Sequence, residues 1–354
     1  MAKPQQAGNR GARRGTEAEP LLIDLALQGG GSHGAFTWGV IDRILQETWL
    51  QIDGISGTSA GAMNAAVLTD GYAAGGREGA RSALENFWSS VADAARLSPF
   101  QRGPLDVLLG RWSLDHTPMF IAMDMLSRMY SPYDLNPMGT NPLRDILDRC
   151  IHFDRLTKAP IRVFVTATNV HTGRARLFRN HELTPDVLLA SACLPTMFQA
   201  VEIDGESYWD GGFSGNPSMV PLVRECQSED TILVQINPIN RPETPRTARG
   251  ILNRLNEVAF NAVLIKELRG MAMIRQLPHS DLPELGMWGR MRIHRIASNL
   301  LATLGSSSKL NAEWEFLTML RDEGRRAADE FLAQHDAALG VESTYDLAPL
   351  LEGL

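Results

Sequence analysis

Ser59 stands at the centre of Gly57-Thr58-Ser59-Ala60-Gly61, between a short strand-like run at Ile52–Ser56 and a small-residue helix starting at Ala60 and running to Leu68. A serine on a sharp strand-to-helix turn has its hydroxyl pushed clear of the sheet, and glycines two residues to either side permit the close backbone approach that such a turn demands. Acyl transfer through the Ser59 hydroxyl is the chemistry this arrangement suggests. The helix opening at Ala60 would aim free N–H groups and its positive dipole end at the point where an oxyanion forms.

A second constellation precedes it. The apolar run Leu21–Gln28 ends at Gly29-Gly30-Gly31-Ser32-His33-Gly34 and passes into an amphipathic helix over Ala35–Gln46. Consecutive glycines free their backbone N–H groups from side-chain obstruction, so several can converge on one anionic oxygen. The same residues also fit Gly29-x-Gly31-x-x-Gly34, a dinucleotide-binding pattern, with Asp53 as the acid 19 residues beyond Gly34. Such an acid should close the second strand, whereas Asp53 lies within a strand leading into the serine turn. A third group is Ser207-Tyr208-Trp209-Asp210-Gly211-Gly212, which places an aspartate at a strand end with two flexible residues behind it. An Asp-Gly-Gly by itself also reads as an ordinary turn.

In this order the three motifs resemble the patatin-like phospholipase family, with the likeness extending over about residues 21–236 and including Ala190-Ser191-Ala192-Cys193-Leu194-Pro195. The resemblance implies Ser59 as nucleophile and Asp210 as its base. It also implies an oxyanion hole from the amides of Gly29, Gly30, Gly31 and Ser32 with Ala60, and elbow and motif glycines at Gly57, Gly61, Gly211 and Gly212. It further implies a three-layer α/β/α fold with a largely parallel central sheet and a phospholipid or acylglycerol ester as substrate, with no cofactor and no metal. Family members commonly carry Arg or Lys where this chain has His33, a group that titrates near neutrality and is therefore an auxiliary candidate. A hydrolase with a Ser-Asp-His triad is the rival; His279, His294 and His335 follow Asp210 in the chain, each expected to face solvent. A non-catalytic regulatory protein that binds lipid is a third reading.

The elements that must position these groups follow from periodicity. Ile161–Asn169, Ala175–Arg179 and Thr231–Asn237 read as strands, and Pro185–Cys193 and Asn216–Cys226 as helices, an alternation that specifies an α/β layered fold. Residues 20–237 form the expected catalytic domain. Within it, residues 86–149 read as a helical insert or lid, dense in Met and aromatic residues such as Phe87, Trp88, Met119, Met125 and Met129 that could accommodate an acyl chain. After Asn237 the pattern predicts helices only, Ala248–Arg275 and Lys309–Gln334, in a C-terminal extension packed on the catalytic domain. In the second of these, Leu310, Trp314, Leu317, Leu320, Ala328, Phe331 and Leu332 share one face.

Composition agrees with a globular enzyme. The chain has 354 residues, 44% of them hydrophobic, with no unbroken apolar segment of membrane-spanning length. Residues 1–19 are rich in Gly, Arg and Gln and read as a flexible tail rather than a secretory signal. Three widely spaced cysteines argue against a disulfide framework and for a reducing cytoplasm. The net charge of −7 gives no reason to expect nucleic acid as partner. Residues 241–300, however, carry 10 Lys and Arg against 5 Asp and Glu, a basic stretch that could lie peripherally on an anionic membrane or balance the acidic C-terminal helix.

Overall fold

The computed structural model describes residues 19–352 except 97, 99, 242 and 278–282. Most of the proposed tail, and His279, therefore lie outside the described residues. Eight strands form one mixed sheet: β1 (Leu21–Leu27), β2 (Leu50–Gly57), β3 (Arg162–Asn169), β4 (Ala175–Arg179), β5 (Val201–Ile203), β6 (Glu206–Asp210), β7 (Asp230–Val234) and β8 (Arg292–Ile296). The order is β5-β6-β3-β2-β1-β7-β8, with β4 also paired to β3. The β3-β2-β1-β7-β8 block is parallel, whereas β4, β5 and β6 join antiparallel. Parallel strands need crossover connections, and the helices that supply them cover both faces of the sheet. The fold is thus a three-layer α/β/α arrangement with a largely parallel sheet, as the motifs imply.

The central strands are continuous apolar runs because both of their faces are buried: Ile23, Leu25, Leu27 and Ile55 are fully inaccessible. One core lies between the sheet and the helices Gly34–Ile44, Ala60–Ala95 and Trp314–His335. A smaller one joins the opposite face to helices Val220–Glu225 and Ala248–Gln276.

Two expectations are corrected. The helix after Ser59 extends to Ala95, turning back at Gly75 and Gly76, whose φ of +61° at Gly76 suits glycine. Gly71 and Gly79 meet where its two arms lie side by side, so Phe87 and Trp88 are core residues rather than part of an insert. Secondly, the region after Asn237 is not wholly helical. Residues Arg292–Ile296 add β8 to the parallel edge, with Ile293 and Ile296 buried while Arg292 ion-pairs Asp230. Three basic residues in five obscured that strand.

The C-terminal helix Trp314–His335 packs against Gly34–Ile44. Glycines allow a close crossing: a Cβ on Gly39 would overlap the Arg321 carbonyl, and one on Gly324 the Phe36 carbonyl. Leu317, Leu320, Ala328, Phe331 and Leu332 are buried in this contact layer, but Trp314 is partly exposed.

Candidate active site

Parallel α/β sheets bind ligands beyond the carboxyl ends of their strands, where loops diverge. The glycine loop leaves β1 there and the Ser59 turn leaves β2, with Leu27 and Gly57 in register. Asp210 ends β6 opposite Ala167 of β3, and β3 in turn adjoins β2. Three segments far apart in sequence thus converge because their strands do.

Ser59 has φ +54° and ψ −122°, a left-handed conformation unusual for a residue with a Cβ. Neighbouring groups enforce it. The Ser59 amide donates to Ser191 Oγ at 2.9 Å, and that hydroxyl donates to the Thr166 carbonyl at 2.7 Å. Thr58 Oγ1 donates to the Gly215 carbonyl at 2.6 Å. A Cβ on Gly57 would stand 2.6 Å from the Gly61 carbonyl, and one on Gly61 would overlap the Leu27 carbonyl, so both elbow glycines answer close backbone approaches. Ser59 keeps partial solvent access while its neighbours are buried.

Asp210 is almost fully buried and close enough to Ser59 for the serine to lower its pKa. One of its oxygens accepts from the Gly212 amide at 2.7 Å. Burial raises its pKa to about 7, against the opposing influence of the Gly212 and Ser59 hydrogen bonds and the Lys309 charge. A carboxylate so tuned exchanges a proton near neutrality, as a general base requires. Gly211 lies against the Thr166 carbonyl, where a Cβ would overlap, and Gly212 lies 3.0 Å from Phe260 by the same measure.

The glycine loop is held by buried amides. Gln28 Oε1 accepts from the Ile236 and Asn237 amides, both at 2.9 Å, while its Nε2 donates to Asn261 Oδ1 at 3.1 Å. The Gly29 amide donates to Asn216 Oδ1 at 2.7 Å, and Asn237 Nδ2 donates to the Gly29 carbonyl at 2.8 Å. Gly29 is therefore a positioned residue whose N–H is already committed, not an available oxyanion donor. Among the described residues no acceptor takes the amides of Gly30, Gly31 or Ala60. Gly31, at φ +57°, is the exposed tip of the loop, and Ser32 behind it is buried.

His33 does not serve as a switchable surface cation. It is buried, its Nε2 lies 2.7 Å from Ser308 Oγ, and its pKa falls well below the ordinary value through burial and the Lys309 and Arg241 charges. The two described later histidines do not complete a triad either. His294, expected at the surface, is buried in β8 between Asp230 Oδ1 and Thr344 Oγ1, each at 3.0 Å. His335 packs against Phe331. Asp53, the acid of the dinucleotide pattern, is ion-paired with Arg162 and accepts from the Gln227 and Ser228 amides. Cys193 is no rival nucleophile, since burial and the Asp210 charge push its thiol up to about 12.

Asp24, Asp53 and Cys226 bring ligand atoms within 4.8 Å of one another, the one described group with metal-binding chemistry. It shares no residue with the Ser59 site. A cavity lined by Arg43, Glu47, Arg81, Arg325 and Asp329 is likewise polar and contains no motif residue.

Sequence reasoning did not find Ser191, Asn216, Asn237 or Lys309 as parts of this site. Ser191 and Asn216 lie in stretches singled out for other reasons; Asn237 and Lys309 give no local signal. Nor is the 241–300 stretch a free basic face: Arg241 and Arg254 bind Glu257, Arg290 binds Glu229, and Arg292 binds Asp230. Its exposed feature is apolar, with Ile251, Leu252, Leu255 and Val258 on one helix. In the former insert, helix Pro118–Met129 buries no residue and exposes Met119, Met125 and Met129.

The patatin-like phospholipase family model matches residues 25–222, which include the glycine loop, the elbow and Asp210. The chain belongs to the patatin-like phospholipase family. Two solved structures are similar at low identity. VipD from Legionella pneumophila is 15% identical with a TM-score of 0.40, the match covering 90% of this chain and 67% of that one. The type III effector protein ExoU is 16% identical with a TM-score of 0.31, covering 90% and 53% respectively, so this chain spans about half of ExoU. No curated protein matches the chain.

Proposed function

We propose that this protein is a serine lipid acyl hydrolase that cleaves carboxylic esters of phospholipids or acylglycerols through a Ser59–Asp210 dyad. The observation that carries this reading is the pairing of a serine in a strained, partly exposed turn with a buried aspartate that is poised near neutrality and whose pKa that serine lowers. Ser59 Oγ attacks the ester carbonyl as Asp210 takes its proton. The resulting oxyanion is received by the Gly30, Gly31 and Ala60 amides, the last at a helix N-terminus. Collapse expels the alcohol, which leaves with the proton held by Asp210. Water then enters, Asp210 removes its proton, and attack on the acyl-enzyme releases the fatty acid and restores Ser59. These steps call on no metal or cofactor.

The family and the exposed apolar side chains of residues 118–129 and 251–258 support a lipid ester substrate met at a membrane surface. No described helix is long and apolar enough to cross a membrane, and the three cysteines are free. We place the enzyme in the cytoplasm, peripheral to lipid.

The test compares wild type, Ser59→Ala and Asp210→Asn on p-nitrophenyl butyrate and on mixed phospholipid vesicles, with chelator present. Cleavage by wild type and loss in both variants is the expected result, and the preferred substrate distinguishes phospholipase from general esterase. Equal inertness of all three folded proteins overturns hydrolysis in favour of a lipid-binding role. Full activity of Asp210→Asn would overturn the dyad.

A further inference from the structure

The glycine loop is closed from behind by a segment outside the family match. Residues Ser306–Leu310 form a 3-10 turn against it. Gly31 approaches the Lys309 carbonyl so closely that a Cβ would overlap it. Ser308 Oγ donates to the Gly305 carbonyl at 2.6 Å, which leaves it to accept from His33 Nε2 at 2.7 Å. Neutral His33 is thereby fixed as the Nε2–H tautomer and acts as a strut between the two loops.

This turn directs Lys309 towards the reacting groups. Its Nζ donates to Asn237 Oδ1 at 2.7 Å, and Asn237 Nδ2 donates onward to the Gly29 carbonyl at 2.8 Å. The ammonium is thus one side chain away from the loop whose Gly29 lies against Ser59. Among the described residues no carboxylate forms an ion pair with it. Glu257, whose charge it feels, is already bound by Arg241 at 2.6 Å and Arg254 at 3.1 Å. Asp210 is the other anion in its field.

We propose that Lys309 is the cation of the hydrolytic site, a positioning and electrostatic residue that Asn237 holds beside the glycine loop to stabilise the oxyanion. The proposal rests on the hydrolase reading above. Its logic is charge conservation. Before attack the negative charge is on Asp210; when Asp210 accepts the Ser59 proton, that charge appears on the carbonyl oxygen. Lys309 faces one anion throughout, and it accelerates the reaction to the extent that the loop side lies closer to it than Asp210 does.

Four charged or titratable groups bear on Lys309: Asp210 on β6, Glu257 on helix Ala248–Gln276, Arg241 before that helix, and His33 on the glycine loop. Burial first, and Arg241 second, bring its pKa down to about 8 against the pull of Glu257 and Asp210. The rate should therefore rise as Asp210 ionises near 7 and fall as Lys309 loses its proton near 8.

The experiment measures kcat and KM for p-nitrophenyl butyrate against pH in wild type, Ser59→Ala, Lys309→Met and Lys309→Arg, with thermal unfolding of each. Lys309→Met should lower kcat by about 10- to 100-fold with little change in KM, a loss somewhat below that of a direct oxyanion donor. Lys309→Arg should recover most of the rate and carry the alkaline limb upward, because guanidinium keeps its proton. Undiminished kcat in Lys309→Met overturns the proposal. So does an equal loss in both lysine variants with the alkaline limb unmoved, which marks a structural role only. If wild type is no faster than Ser59→Ala, the hydrolase reading fails, and the role of Lys309 in it fails for that separate reason.

Discussion

Asp210 and Asp230 are both buried aspartates at ends of strands in one sheet, yet the protein treats them in opposite ways. Asp210 accepts from the Gly212 amide and has no ion-pair partner among the described residues, and burial carries it to about 7. Burial also pushes Asp230 upward, but His294, Arg292 and the Gly340 amide outweigh it and hold the carboxyl at about 2. Arg292 Nη2 is 2.7 Å from one oxygen and His294 Nε2 3.0 Å from the other. Withholding a contact cation makes an exchangeable base; supplying one makes an anchor for β7, β8 and the chain near Gly340.

The sharpest way to break this contrast is to neutralise each in turn. Asp210→Asn should reduce kcat by at least about 10³-fold, as loss of a base acting as a unit with its nucleophile does, whereas folded Asp230→Asn should retain most of its activity. Stability should move the other way. Asp230→Asn removes the negative charge that Arg292 and His294 share, although Arg292 keeps Glu229, and should lower the unfolding free energy by about 2–3 kcal/mol in urea titrations, less than a fully buried pair because Arg292 is partly exposed. An unchanged urea midpoint would show the anchor to be idle.

pH separates the two further. The folded pKa of Asp210 is raised, so its contribution to stability is full below the unfolded value near 3.8 and disappears as pH rises through about 7. Asp210→Asn should therefore melt higher than wild type at pH 8, with the gap narrowing steadily as pH falls from about 7 towards 3.8. For Asp230, whose folded pKa is depressed, stability is present above 3.8 and lost as pH falls towards 2. Acid unfolding of Asp230→Asn should lack that part of the transition. The smallest expected effect concerns the turn itself: Ser59→Gly should abolish turnover yet stabilise the fold by up to about 1 kcal/mol, the relief of strain being partly offset by a more flexible unfolded chain.

The part of the site that was legible in the sequence is the part built from glycine. Gly57 and Gly61 are required by contacts with backbone only a few residues or one strand away, and such requirements leave a compact spacing. Asn216, Asn237 and Lys309 act across the fold as single polar side chains, which neither periodicity nor spacing marks. The parallel sheet was readable because its strands are buried on both faces. β8 was not, because Arg292 and Arg295 at an edge outweigh its two isoleucines in any pattern count. Phe87 and Trp88 were assigned to the wrong structure because a helix that doubles back through Gly75 and Gly76 looks, in one dimension, like a helix that has ended.

The crossing of Gly39 over Arg321 and of Gly324 over Phe36 ties the helix that follows the glycine loop to one almost three hundred residues downstream. Ribosomes deliver those two helices far apart in time, and contacts of such separation form late. Ser59 and Asp210 are both translated by residue 210, but the layer that buries the loop's first helix is not. A growing chain would thus carry Ser59 in an unfinished scaffold until helix Trp314–His335 emerges, so the order of synthesis itself delays the packing behind the glycine loop.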